Sequence, residues 1–502
     1  MSRSQSSAAL EPSPEQEEIL RLPFKAGSIS VIKAFAGSGK TATLRMIAEA
    51  HPEKRILYVV FNKAMAVEAE KTFPKNVHAR TSHSIAFGDF GRAFGANLGP
   101  LRGKQVAAAL GYSPYLALQV SETLQNWFHS VAPTVTEEHL PEDSEDGVQV
   151  VDAARLTWRR MVDQTDALPM PHDGYQKLWS LSEPCCGPYD MVFADEAHDL
   201  NPVVLDFVFR SASKSGAAVV FVGDSHQSIY SWRGAIDAVS AIEERADSVS
   251  RLTWSFRFGE AIARQASTIL RNLKGETVDL VGAGKDSGRM DRFCVIGRTN
   301  FSLIEHALKE AKKEPDIAIH FAATKATEKW SPRAPYRFND LLDVLSIYSA
   351  RLNEVKSLYF RKFKSWEDLR AFVDAGDKEL EWLVKIVGEY GDKLPAILSQ
   401  LEGRSVAPKT ADITYSTAHR SKGLEWEYVQ MLDDFGDPSE LHKGLFGQSA
   451  ATFDRRKLLE EANLLYVAVT RARRKVAVSA VINKWLLDHA RPEASESPRK
   501  WR

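Results

Sequence analysis

The feature that most constrains this chain is one glycine-rich loop, AFAGSGKT at residues 34–41, which follows the apolar run SISVIK and precedes a helical pattern. In such a strand–loop–helix unit, glycines let backbone N–H groups approach a phosphate, and the helix presents its positive end to that phosphate. The lysine would reach the β- and γ-phosphates, and the threonine hydroxyl would bind Mg²⁺. The strict pattern places glycine where Ala34 stands. The predicted phosphate-binding residues are Ala36, Gly37, Ser38, Gly39, Lys40 and Thr41.

Two further motifs also follow buried-type strands. DEAHD (residues 195–199) comes after YDMVFA, and GDSHQSIYSWRGA (residues 223–235) comes after AAVVFV. Asp195 can hold Mg²⁺, and Glu196 can orient or deprotonate an attacking water, which is most of what phosphoryl transfer requires beyond positive charge. A surface acidic turn is the weaker interpretation, because both acids directly follow an apolar run. The three loops together predict a nucleotide-hydrolysing site.

Strand-like and helical runs alternate along the chain, which predicts the α/β class. One set of buried-type strands lies in the first half and a second set in the second half, so we expect two P-loop-type domains with parallel sheets, each with a mainly helical insertion. The predicted boundaries are a tail at 1–14, a first domain at 15–87 and 182–248 with an insertion at 88–181, a second domain at 249–350 and 409–490 with an insertion at 351–408, and a tail at 491–502.

Composition bounds the function classes only loosely. The 502 residues are 44% hydrophobic and 26% charged with a net charge of −1, so any nucleic-acid surface must be a local patch. The three cysteines show no metal-binding spacing, which fits a reducing compartment. The sequence contains no apolar stretch of about 18 residues, so it predicts no membrane span. We therefore expect a cytoplasmic protein, associated with the nucleoid if it is bacterial.

Charged and aromatic residues elsewhere complete the expected chemistry. Arg257 in LTWSFRFG and Arg471 in VAVTRARR could stabilise charge at the γ-phosphate, although either alone could be an ordinary surface ion pair. Tyr230 and Trp232 lie two apart, and such rings stack on bases without reading sequence; filling the core is the alternative. The stretch KSLYFRKFKSW at 356–366 suits a nucleic-acid surface, and equally a basic amphipathic helix packed on its neighbour.

These motifs, in this order, resemble the superfamily 1 helicases of the UvrD/Rep group over nearly the whole chain, which implies two RecA-like domains and the cofactors ATP and Mg²⁺. PSPEQEEIL resembles the Q motif, STAHRSKGLEWEYV the fifth motif and EEANLLYVAVTRAR the sixth. The resemblance implies that the residues which contact or act on the nucleotide, beyond those of the loop, are Gln16, Asp195, Glu196, Gln227, Phe256, Arg257, Glu425 and Arg471. It implies DNA contacts for Asn62, His83, Tyr230, Trp232 and His419.

Within that group, HDGYQKLWSL and SKGLEWEYVQMLDDF are most similar to the helicase region of the eukaryotic F-box DNA helicases. Only about fifteen residues precede the Q motif, so we expect no F-box and carry over no role in ubiquitin ligation. His198 stands where the group usually has glutamine, and the 351–408 insertion is shorter than in larger members. The S-A-T and Q-R-x-G-R-x-G-R motifs of the DEAH-box RNA helicases are absent, so we reject that assignment.

The resemblance implies an ATP-dependent helicase or translocase that moves along single-stranded DNA by inchworm steps, with 3′→5′ polarity. Its expected partners are single-stranded DNA, single-strand/double-strand junctions and a protein that stimulates unwinding. The alternative is an ATP-gated DNA-binding subunit of a nuclease or defence complex. ATP turnover that is stimulated by DNA would distinguish a helicase or translocase from such an ATP-gated subunit.

Overall fold

The computed structural model describes residues 11–60, 63–141, 144, 146–185, 187–229, 237–284, 293–314, 316–322, 338–357, 359–374, 378–447 and 454–491. They fall into two compact units, one of residues 11–102 and 119–253, the other of residues 103–118 and 254–491. Asn62, Tyr230 and Trp232, all predicted to bind DNA, lie outside the described residues. None of the helices in the described part of the chain is long and apolar enough to cross a bilayer.

The first unit is built on a six-stranded parallel sheet. Its strands are β1 (Ile29–Ala34), β2 (Ile56–Val60), β3 (Val77–Thr81), β4 (Met191–Ala194), β5 (Ala218–Gly223) and β6 (Ser248–Leu252). Their spatial order is β3-β2-β4-β5-β1-β6. Strands β2, β4 and β5 are buried along their whole length, as expected for a parallel sheet covered on both faces. The carboxyl ends of β1, β4 and β5 therefore meet at one edge of the sheet.

Helices surround this sheet and fill the chain between β3 and β4. Those next to the sheet are α1 (Pro14–Leu20), α2 (Lys40–Ala50), α3 (Lys63–Thr72), α9 (Pro202–Ser215) and α10 (Ala238–Glu243). Between β3 and β4 lie α4 (Ser82–Asp89), α5 (Gly103–Leu110), α6 (Pro114–Phe128), α7 (Gly147–Val162) and α8 (His172–Leu181); α5 and residues 114–118 of α6 belong to the second unit. Asn201 begins α9 by accepting the N–H of Val204, and Gly216 ends it in the left-handed conformation.

The second unit contains a five-stranded parallel sheet in the order β10-β11-β9-β12-β13 and a separate two-stranded pair, β7-β8. Its strands are β7 (Trp254–Ser255), β8 (Val281–Gly282), β9 (Phe293–Gly297), β10 (Ile319–Phe321), β11 (Ile413–Thr417), β12 (Trp426–Met431) and β13 (Ala472–Ala477). Its remaining helices are α11 (Glu260–Ile269), α12 (Asn300–Lys313), α13 (Phe338–Tyr348), α14 (Trp366–Asp374), α15 (Lys378–Tyr390), α16 (Leu394–Arg404), α17 (Ala418–Ser421), α18 (Pro438–Phe446), α19 (Arg455–Val469) and α20 (Ala480–His489).

These two parallel sheets, each interrupted by a run of helices, confirm the predicted α/β class. Strands β3, β8 and β10 were not predicted from the sequence; β3 and β10 lie at sheet edges, where polar residues such as His78 and Arg80 weaken the apolar signal.

The stretch Lys356–Trp366 contributes rings to the core of the second unit. Phe360 and Phe363 are buried in the cluster that also holds Leu383 and Leu398 from α15 and α16. The Lys362 ammonium lies 4.1 Å from the centre of the Tyr359 ring and 4.3 Å from that of Phe372. Such cation–π contacts hold the lysine stem against the protein. The basic amphipathic helix expected here is not formed by the described residues, which have one 3₁₀ turn, Phe360–Lys362, before α14 begins at Trp366; the nucleic-acid surface stays a prediction.

Candidate nucleotide site

The phosphate-binding loop connects β1 to α2. Gly37 and Gly39 have φ values of 74° and 83°, the left-handed region that side chains other than glycine rarely adopt. The Ser38 hydroxyl donates to the Phe35 carbonyl at 2.8 Å and closes the loop on itself. α2 begins at Lys40 with no side-chain cap, so its first N–H groups are available for an anion.

A single carboxylate oxygen collects two hydroxyl donors at the edge of the sheet. Asp195 Oδ2 accepts from Thr41 Oγ1 at 2.9 Å and from Tyr58 OH at 2.5 Å, while the N–H of Glu196 donates to Oδ1 at 2.8 Å. Asp195 is fully buried. The chain thus places the threonine of one motif against the first acid of the next, as the sequence predicts.

Burial and the neighbouring Glu196 carboxylate raise the pKa of Asp195 to about 6, although the hydrogen bond from Tyr58 and the charge of Lys40 oppose that shift. Burial is also the main reason that the pKa of Tyr58 is raised, with the negative charge of Asp195 adding to it. Tyr58 therefore stays protonated and donates to Asp195 at physiological pH.

The raised pKa gives a testable stability effect. Below about pH 4 the folded and unfolded chains both hold the Asp195 proton. As pH rises to about 6 the unfolded chain loses this proton first, so the free energy of unfolding falls over that range. We expect the stability of Asp195→Asn relative to the wild type to rise by about 2–3 kcal/mol between pH 4 and pH 8, since the pKa is raised by about 2 units and one unit corresponds to about 1.4 kcal/mol. Thermal unfolding from pH 4 to 8, without nucleotide or Mg²⁺, measures the difference.

At pH 4 the wild type should be the more stable of the two, because an amide nitrogen cannot accept the Glu196 N–H that Oδ1 accepts. Asp152→Asn is the matched control, because Asp152 is exposed on α7, and it should follow the wild type at each pH. A stability difference between Asp195→Asn and the wild type that stays the same from pH 4 to pH 8 would contradict the expected cost of burying this carboxylate.

Glu196, the predicted base, is held in an unusual backbone conformation. Its φ and ψ are 50° and 43°, left-handed for a residue that has a side chain. Such values persist where the surroundings enforce them, often at functional sites. Glu196 Oε2 lies 3.6 Å from Lys40 Nζ and 3.6 Å from His198 Nε2. The structure therefore brings Lys40, Asp195 and Glu196 together within the first unit.

The oxygens at this edge fit a hard cation. Thr41 and Asp195 would supply one hydroxyl and one carboxylate, and Mg²⁺ characteristically takes one or two protein carboxylates together with substrate phosphates and water. Among the described residues, no group of three His, Cys, Asp or Glu side chains has the arrangement of an all-protein metal site.

Gln227 follows β5 in a single 3₁₀ turn, Ser225–Gln227. It is buried, and its Nε2 donates to Asp224 Oδ2 at 2.6 Å. The backbone N–H of Asp224 in turn donates to His198 Nδ1 at 3.0 Å. The third motif is thus joined to the second through Asp224 and His198, a connection that sequence spacing alone does not reveal.

Gln16 is occupied by contacts of its own. Its Oε1 accepts from the N–H of Ser13 at 2.9 Å in a capping box at the start of α1, and its Nε2 donates to Thr43 Oγ1 at 2.9 Å. Its neighbour Glu15 accepts from the N–H of Thr253 at 2.7 Å, just past β6. The first turn of α1 therefore connects α2 with the end of β6. The role of Gln16 in adenine binding stays a prediction.

In the second unit, Arg257 and Glu425 form an ion pair. Arg257 Nε donates to Glu425 Oε2 at 2.8 Å, and Arg257 Nη1 donates to the Thr470 carbonyl at 3.1 Å. Phe256, just before Arg257, is 47% exposed, and its role in adenine stacking stays a prediction. The resemblance gives Arg257 and Glu425 separate tasks, on the γ-phosphate and on the ribose; their pairing within the unit was not predicted.

Arg471 lies between α19 and β13 and is 1% exposed. Its Nε donates to the Val467 carbonyl at 2.9 Å, and its Nη2 donates to Thr470 Oγ1 at 3.2 Å. Thr470 thus touches both arginines, since its carbonyl accepts from Arg257 and its hydroxyl from Arg471. The arginines predicted to act on the γ-phosphate are neighbours in the second unit.

The two remaining predicted DNA contacts are histidines. His83, on α4, has its Nε2 2.9 Å from Asp173 Oδ1, and His129 Nε2 lies 3.5 Å from the other oxygen. Burial alone would raise the pKa of Asp173, but the hydrogen bonds with His129 and His83 outweigh it and hold that pKa well below its usual range. His419 is half-buried on the short helix α17, whose first turn is capped by Thr417.

Two residues near the site were missed as participants. Tyr58 is one apolar-looking letter in the strand ILYVV, and its contact with Asp195 depends on the pairing of β2 with β4. His198 was expected to donate a hydrogen bond in place of the usual glutamine, but neither of its partners was predicted. No short-range sequence signal marks either contact.

Comparison with known proteins agrees with this fold. The AAA domain family matches residues 16–233, and the UvrD-like helicase C-terminal domain family matches residues 257–483. The class defined by fold, phosphate-binding loop and matches is that of the P-loop proteins. Within it, the chain belongs to the UvrD-like DNA helicases.

Individual relatives fit this family. F-box DNA helicase 1 of Gallus gallus is 33% identical over 93% of this chain and 48% of its own length. F-box DNA helicase protein 1 of Schizosaccharomyces pombe is 30% identical over 94% of this chain and 57% of its own length. ATP-dependent DNA helicase UvrD2 of Mycobacterium tuberculosis is 31% identical over 25% of this chain and 17% of its own length. The chain spans about half the length of the two F-box helicases.

Proposed function

We propose that this protein is an ATP-dependent DNA helicase or translocase that moves along single-stranded DNA in the 3′→5′ direction. The observation that carries the proposal is the joining of Thr41, Asp195 and Glu196 beside Lys40. A phosphate loop, a buried carboxylate suited to Mg²⁺ and a second carboxylate able to orient water form the minimal set for ATP hydrolysis. Family membership supports DNA as the substrate.

When Mg²⁺·ATP is bound, the cation would neutralise charge on the phosphates, with Thr41 and Asp195 as its protein oxygens. Lys40 would place a fixed positive charge at the end of the loop. Glu196 would orient water and accept its proton, and its left-handed backbone would hold the carboxylate on the Lys40 side. Gln227, buried behind Asp224, would link this edge to the following DNA-contacting segment.

The test is ATP hydrolysis measured with single-stranded DNA, duplex DNA and single-stranded RNA of equal length. We expect single-stranded DNA to stimulate turnover most, and strand separation to require a 3′ tail. Binding of DNA that is gated by ATP without steady turnover would instead identify the ATP-gated subunit of a nuclease or defence complex. Stimulation by RNA alone would overturn DNA as the substrate.

Trp232 provides a separate prediction about the DNA grip. Replacing it by alanine should weaken single-strand binding by about 1–3 kcal/mol, the usual value of one base–aromatic stack, while basal hydrolysis changes little. Trp232→Phe is the matched control, because it keeps a ring and should retain most of the affinity. Fluorescence anisotropy with a labelled oligothymidine measures both. Equal affinity for the alanine variant and the wild type would remove Trp232 from the DNA contact.

A further inference from the structure

The segment that connects the second and third motifs contains a buried histidine with two differently used nitrogens. His198 is 0% exposed. Its Nδ1 lies 3.0 Å from the backbone nitrogen of Asp224, at the end of β5. A backbone N–H can only donate, so Nδ1 must accept, and the proton of the neutral ring is on Nε2. The fold therefore fixes which nitrogen of His198 can donate.

The donating nitrogen faces the predicted base. His198 Nε2 lies 3.6 Å from Glu196 Oε2 and 3.8 Å from Asp199 Oδ1. The first distance is slightly longer than a hydrogen bond, and hydrogen bonds of catalytic groups commonly tighten only in the substrate complex. Glu196 Oε2 is also 3.6 Å from Lys40 Nζ. The imidazole and the loop lysine thus approach the same carboxylate oxygen.

The end of β5 is shaped to admit this ring. A Cβ atom on Gly223 would lie 3.1 Å from His198 Nδ1 and 2.6 Å from the Val239 side chain, so a larger residue would displace one of them. Asp224, one residue on, uses its carboxylate to accept from Gln227 Nε2 at 2.6 Å. Nδ1 of His198 therefore accepts from the backbone of the third motif at Asp224, and Nε2 faces Glu196.

We infer that His198 is a positioning residue for ATP hydrolysis: its Nε2–H orients the Glu196 carboxylate, and the Asp224 N–H fixes the tautomer that makes this donation possible. The inference rests on the proposed function and deepens it. It assigns to His198 a donor task that the amide of glutamine, usual at this position in the family, can also perform. The chain's departure from the family pattern would then preserve the hydrogen bond and change only the group that supplies it.

Two amide substitutions separate the two nitrogens. In His198→Gln the terminal amide ends near the place of Nε2 and can donate to Glu196. In His198→Asn the shorter side chain keeps an acceptor near Nδ1 for the Asp224 N–H but falls short of Glu196. We expect His198→Asn to lower kcat for ATP about 10-fold or more with KM within about 3-fold, because a hydrogen bond to a charged group is worth roughly that factor. His198→Gln should keep kcat within about 3-fold.

Steady-state kinetics with Mg²⁺·ATP, with and without oligothymidine, measure these ratios, and thermal unfolding reports the fold. His78→Asn is the control for exchanging an imidazole for an amide elsewhere, since the His78 ring on β3 lies away from the loop and contacts the Tyr189 side chain. In single-turnover experiments, Glu196→Gln with His198→Asn should be no slower than Glu196→Gln alone, because His198 acts through Glu196.

Equal losses of kcat in the asparagine and glutamine variants, a change confined to KM, or a further drop in the double variant would each overturn the inference. The kcat ratios can be measured from ATP hydrolysis without DNA. The inference about His198 can therefore fail while DNA still stimulates hydrolysis by the wild type. A wild-type protein that hydrolyses no ATP would instead count against the proposed function itself.

Discussion

Replacing Glu196 by glutamine is expected to lower kcat for ATP by about 10²–10⁴-fold, the range that a positioned general base contributes. Nucleotide affinity should change little, because Asp195, Thr41 and the loop backbone are untouched. The glutamine side chain keeps the shape of Glu196 and can still face Lys40 and His198. Single-turnover hydrolysis and binding of a fluorescent ATP analogue, measured on the same preparation, separate the two quantities.

Two comparisons sharpen this result. Lys40→Ala should abolish hydrolysis and also weaken ATP binding, because it removes the positive charge from the β- and γ-phosphates. Glu49→Gln on the same helix is the matched control; Glu49 is 55% exposed, pairs with Arg45 and should leave both quantities at wild-type values. Wild-type hydrolysis by Glu196→Gln in the presence of DNA would show that Glu196 is not the base.

Arg257→Ala and Arg471→Ala are each expected to reduce kcat by about 10³-fold or more, with a much smaller effect on ATP affinity. An arginine that stabilises the γ-phosphate in the transition state contributes roughly 10³–10⁵ in rate in other systems. Interactions made mainly in the transition state change kcat, whereas uniform binding changes KM. Steady-state kinetics over a range of ATP concentrations measure both constants.

The two arginines need different controls. Arg473→Ala is the matched variant for Arg257, because the Arg473 guanidinium lies 3.7 Å from the same Glu425 carboxylate and is 48% exposed; it should retain near-normal kcat. Arg471 is buried, so its alanine variant is interpreted only alongside a thermal unfolding curve. Arg471→Lys, which keeps the charge, should unfold more like the wild type and still lose kcat, because lysine lacks the planar fork. A rise in KM at constant kcat would remove either arginine from the γ-phosphate.

The sequence alone was sufficient to predict which loops form the site. Strongly apolar strands ending in glycines or paired acids predict both the parallel sheets and the edge where the loops meet, and the contact between Thr41 and Asp195 follows from that edge. These signals are local: each lies within a few residues of the strand that positions it. The phosphate loop, the acid pair and the third motif could therefore be located without coordinates.

The missed contacts depend on relations between distant segments. Tyr58 reaches Asp195 only because β2 pairs with β4, and Arg257 pairs with Glu425 across 168 positions of sequence. The stretch Lys356–Trp366 was ambiguous because interleaved basic and aromatic residues suit a nucleic-acid surface or a packed segment equally well. The structure buries Phe360 and Phe363 and forms a single 3₁₀ turn there, Phe360–Lys362, in place of the amphipathic helix.

The first turn of α1 has a practical consequence for anyone who handles this protein. Glu15 is attached to the residue after β6, and Gln16 is attached both to Ser13 and to α2. This turn connects the edge strand β6 with α2, the helix that follows the phosphate loop. Removing Ser13 would remove the cap on Gln16, and removing Glu15 and Gln16 would remove the contacts with Thr253 and α2. An affinity tag at this end therefore needs a spacer that ends before Ser13.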